Sequence, residues 1–102
     1  MTTLHTVNKT PFERNSLESC LKFAQSGSSL LFLEDGIYGS LKGTSAEGQV
    51  KAALETLSVY VLGPDLKARG FSEDRLIEGI KVVDYSGFVD LAAENDKVQA
   101  WL

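Results

Sequence analysis

The sequence predicts an α/β fold: a single domain over residues 1–102 with a mostly parallel five-stranded sheet and helices on both faces. Three observations predict it. Leu30-Leu31-Phe32-Leu33 is an unbroken apolar run stopped by Glu34-Asp35-Gly36. A strand apolar on both sides needs a layer over each face, which helices supply in parallel sheets, so this run belongs at the sheet centre. Strand-like runs then alternate with stretches of helical period, the order β-α-β-α-β-α-β-α-β of a doubly wound sheet with right-handed crossovers. Finally, 102 residues, 43% hydrophobic and 24% charged, allow one small core and argue against disorder.

Taken in order, Leu4-His5-Thr6-Val7-Asn8 is the first strand. Thr10-Pro11-Phe12-Glu13 has the form of a helix start, with Thr10 as cap, Pro11 at the first helical position and Glu13 at the capping-box position. The helix is expected to run to Ala24 or Gln25, with Phe12, Leu17, Cys20, Leu21, Phe23 and Ala24 as its apolar stripe. After the central strand, Gly36 to Gly43 holds a turn or two of helix. Thr44-Ser45-Ala46-Glu47 repeats the capping-box pattern, and Val50, Ala53, Leu54 and Leu57 follow at helical spacing. Ser58–Leu62 is a β-branched and aromatic strand bounded by Gly63-Pro64. Pro64 to Gly70 forms a short helix, and Ser72 caps another from Glu73 to Glu78. Ile80–Asp84 is the fourth strand. Ser86 or Asp84 caps a last helix through Asn95 with Phe88, Leu91 and Ala92 inward. The tail Lys97 to Leu102 ends in large apolar groups, as a final edge strand or a segment docked on a partner.

The formal charge of −4, with basic residues scattered rather than clustered, speaks against direct nucleic-acid binding. No apolar run approaches the roughly 20 residues of a spanning helix, and no secretory signal is visible, so the cytoplasm is the expected compartment. No cofactor is expected: the glycines at 36, 39 and 43 do not make a phosphate-cradling pattern. No metal is expected either, since the lone Cys20 and the lone His5 fit no ligand spacing. Cys20 is the one nucleophile of note. It lies mid-helix, away from the dipole or cation that lowers a thiol pKa, and reads first as a small buried hydrophobe. His5 reads first as a satisfied core or interface histidine, ahead of a general base. Glu34 and Asp35 stand at the carboxyl end of the central strand, where ligands collect, yet an exposed turn uses the same acids. Trp101 is a core lid or an interface anchor.

Four stretches together carry a resemblance: Leu4 to Phe12, Leu31 to Tyr38, Val59 to Gly70 and Val82 to Leu91. In order and spacing they resemble the DsrH/TusB family across essentially the whole chain. The resemblance implies a cytoplasmic, flavodoxin-like subunit of a sulfur relay. It implies a heterohexamer with DsrE/TusD-like and DsrF/TusC-like subunits, passing persulfide sulfur to a small DsrC/TusE-like carrier. Cys20 and the tail Val98-Gln99-Ala100-Trp101-Leu102 look more like the DsrH branch, which accompanies oxidation of stored sulfur. The TusB branch, serving 2-thiouridine synthesis in tRNA, is the alternative, and a stand-alone small-ligand module using Glu34-Asp35-Gly36 is a third reading. The family's main sulfur-carrying cysteine belongs to the DsrE/TusD-like subunit. Cys20 is therefore expected to be at most an auxiliary persulfide site in a non-catalytic or supporting subunit.

Overall fold

The computed structural model describes residues 2–102. Five parallel strands form one sheet: β1 (Thr3–Val7), β2 (Ser29–Phe32), β3 (Ser58–Leu62), β4 (Lys81–Val83) and β5 (Lys97–Trp101), in the order β4-β3-β2-β1-β5. The apolar run is central, as expected, with every residue of β2 buried. The chain steps outward from β1 to β4 and then returns to place β5 on the other side of β1. The reversal thus falls between β1 and β5, whereas flavodoxin itself reverses between β1 and β3. The three-layer architecture is the same.

Alternate strand residues separate into two cores, as the period of two requires. On one face Val7, Leu30, Phe32, Val59 and Val61 pack beneath α1 (Ser16–Phe23), α2 (Glu47–Ala53), α3 (Gly63–Ala68) and the 3₁₀ helix Glu34–Ser40. On the other, Leu4, Leu31 and Leu62 meet Leu91, Phe88 and Ala92 of α4 (Tyr85–Glu94). Asp84 is the residue that caps α4, accepting the Gly87 N–H at 2.8 Å. Gly87 also lets the helix settle on the sheet, since a Cβ there would stand 2.9 Å from that of Val83.

The first helix departs from expectation. Thr10 closes a turn instead of capping a helix: its carbonyl accepts the Glu13 and Arg14 N–H groups at 3.3 and 3.2 Å, and its hydroxyl accepts that of Phe12. Helix α1 begins only at Ser16, so the buried stripe shrinks to Leu17 and Cys20, with Leu21 and Ala24 beside them. Phe12 and Phe23 are left exposed at 53% and 72%. The expected Glu73–Glu78 helix is a single 3₁₀ turn, Glu73–Arg75. The adjacent apolar residues Leu76 and Ile77 are both buried, and the chain extends to bury them: Leu76 bridges Leu41 and the Ile77 N–H reaches the Ser40 carbonyl. At α2 the capping groups act one step early, Thr44 Oγ1 accepting the Ala46 N–H and Glu47 Oε1 that of Gly43.

Candidate functional site

At the carboxyl edge of the sheet the chain passes from β2 into the 3₁₀ helix through Glu34, whose φ of +49° lies in the left-handed region. The Glu34 N–H donates to Asp65 at 2.7 Å, and Arg69 of α3 donates from Nε and Nη2 to one Asp35 oxygen at 3.2 and 3.0 Å. The Asp35 carboxylate and the Glu34 backbone thus join the turn to α3. Gly36 follows, so close to β1 that a Cβ would overlap the Val7 carbonyl. The Oδ1 of Asn8, at the end of β1, is buried without a hydrogen-bond partner.

Cys20 is fully buried in the core beneath α1, beside Leu17 and the sheet. Burial without a compensating charge disfavours the thiolate, and the thiol pKa is pushed up to about 12. Near neutral pH the buried Cys20 thiol keeps its proton.

His5 finds its partner in the last strand. The Trp101 Nε1–H donates to His5 Nδ1 at 3.1 Å, and the Phe23 ring packs tilted against the indole at a centroid distance of 5.8 Å. Burial lowers the His5 pKa below the usual imidazole range, so the ring is neutral with its proton on Nε2. Trp101 thereby locks the edge strand β5 onto β1 and α1, a second tie being the Ser16 hydroxyl on the Leu102 carbonyl at 3.1 Å. Sequence reasoning missed this pairing because His5 and Trp101 lie 96 residues apart. It missed the Arg69–Asp35 pair for the same reason. Tyr85 and Val89 of α4, Val98 of β5 and Leu102 remain exposed.

Among the described residues no group of His, Cys, Asp or Glu is placed to hold a metal, and no helix is long and apolar enough to cross a membrane. What the fold defines is a small parallel α/β unit with no thiolate nucleophile at hand and an edge strand bearing exposed apolar groups.

The chain belongs to the DsrH/TusB family: the model described as DsrH like protein matches residues 9–98. It is 32% identical over 98 residues to Protein TusB of Pectobacterium parmentieri, and 35% identical over 99 residues to Protein TusB of Erwinia tasmaniensis. Each alignment covers 96% of this chain and 99% of the relative. Among solved structures, the ychN protein from E. coli superposes with a TM-score of 0.80 at 17% identity, covering 98% of this chain and 99% of that one. A protein of unknown function from Methanobacterium thermoautotrophicum does so with a TM-score of 0.75 at 15% identity, covering 96% and 97%. At such identities the two structures share the fold.

Proposed function

We propose that the chain is the TusB-type subunit of a cytoplasmic sulfur-relay complex, assembled as a heterohexamer with TusD-like and TusC-like subunits. It supports persulfide transfer to a TusE-like carrier on the route to 2-thiouridine in tRNA. The observation that carries this reading is the alignment, nearly full length at 32% and 35% identity, with proteins named TusB. The geometry favours a supporting role: Cys20 is buried and protonated, and the edge strand carries apolar groups in need of cover. Any persulfide on Cys20 is auxiliary and requires α1 to lift from the sheet. The DsrH-type role in sulfur oxidation rests on Cys20 and the tail, and ranks second. A stand-alone ligand site at Glu34-Asp35 ranks below both, because Arg69 and Asp65 already engage that turn.

Deleting the gene and analysing tRNA nucleosides by mass spectrometry tests the assignment. Loss of 2-thiouridine, restored by the gene in trans, is the expected result. Normal thiolation with impaired sulfur oxidation would transfer the chain to the DsrH-type role.

A further inference from the structure

We infer that the crevice between the carboxyl end of α1 and the edge strand β5 is a binding site for a small anion, an oxyanion headgroup carrying a small aromatic or apolar body. The crevice measures about 230 Å³. His5 and Ser28 form its buried floor, and Phe23, Gln25, Lys97 and Gln99 its exposed rim.

The chemistry of the lining sets the ligand class. In a chain of net charge −4, the ionisable groups around this crevice are Lys97 and His5, both bases. The nearest acid in sequence, Asp96, is turned to the Thr2 N–H. His5 is 4% exposed, and its Nδ1 is occupied by the Trp101 N–H, so its proton sits on Nε2. That N–H has no acceptor among the described residues, in a ring that borders the crevice. Ser28 Oγ accepts the Thr3 N–H at 3.2 Å and keeps its own proton to donate. The His5 Nε2–H and the Ser28 hydroxyl can both donate, and an oxyanion accepts from each with charge assistance. Lys97 provides the opposite charge. The carboxyl end of the short helix α1 works weakly against an anion, which makes Lys97 the deciding group. The Phe23 ring, 72% exposed, offers the ligand body an apolar wall.

Trp101 touches both His5 and Phe23, and it is the one tryptophan in the chain, so its fluorescence reports occupancy through those two rings. The test titrates the full chain, at the low concentration fluorescence permits and where self-association is least, with inorganic phosphate and with phenyl phosphate, against sodium chloride at matched ionic strength. The expected result is a saturable change with both phosphates, tighter for phenyl phosphate, and weakened about tenfold by Lys97→Met, the loss of one charge-assisted contact. Lys97 is exposed on an edge strand, so the variant keeps its fold. The same titration of Ser28→Ala, weakened in its turn, locates the ligand at the floor. Absence of saturation, an equal response to chloride, or equal affinity in Lys97→Met would each overturn the proposal. Because this site needs no partner subunit, its failure leaves the sulfur-relay reading standing, and the reverse.

Discussion

At the scale of single residues, burial decides the chemistry of both Cys20 and His5. Cys20 lies among Leu17 and the sheet with a pKa of about 12, so the native thiol should resist alkylation near neutral pH and react quickly once denaturant opens the core. Timing iodoacetamide modification by mass spectrometry with and without denaturant checks this. Rapid native labelling would mean that α1 opens readily. Cys20→Ala should cost only about 1 kcal/mol, the loss of one small buried group, read from denaturant melts. For His5 the sign follows from a folded pKa lowered below the unfolded value. The unfolded chain takes up the proton first, so the stability present at about pH 7.5 falls as the pH drops through roughly 6.5. Half-buried Glu47 and exposed Asp74, both shifted downward, act only at lower pH. Melting temperatures across this range should fall for the wild type and stay flatter for His5→Gln, whose amide oxygen can still accept the Trp101 N–H. Parallel slopes would show that His5 tolerates its charge.

At the scale of elements, legibility followed locality. The central strand, Ser58–Leu62 and the Asp84-capped helix each announce themselves within a few neighbouring residues, and all three form. The start of α1 did not, because Thr10-Pro11 serves a turn and a helix equally well until the rest of the fold places Ser16 under Leu102. Likewise the pattern after Ser72 suggests a helix, but burying Leu76 and Ile77 against Leu41 and Ser40 calls for extended backbone. The candidate site was less legible than the fold, since His5 meets Trp101, and Asp35 meets Arg69, only across long sequence separations. Two substitutions probe the junctions. Gly36→Ala should cost more than about 2 kcal/mol, because its Cβ meets the Val7 carbonyl, already fixed by the Leu33 N–H. A melt within experimental error of wild type would show that the 3₁₀ helix can shift. Trp101→Ala should cost about 3 kcal/mol, the low end for an aromatic truncation because part of the indole stays in water, while Glu34→Gln stays within ~0.5 kcal/mol. Equal thermal shifts for these two would mean that β5 contributes little to the fold.

At the scale of the whole molecule, the small core and the half-open edge point the same way as the family. Val98, Leu102, Tyr85 and Val89 expose apolar surface, and β5 pairs on one side only, with β1. Unpaired strand edges and apolar groups of this kind are commonly covered by another chain. Size-exclusion chromatography with light scattering tests the proposed role as a supporting subunit most directly, on the chain made alone and on the chain co-expressed with TusC-like and TusD-like subunits. The expected result is a poorly behaved, self-associating chain when alone and one stable complex containing all three subunits in equal amounts when co-expressed. A well-behaved monomer that elutes unchanged in the presence of both other subunits would contradict it.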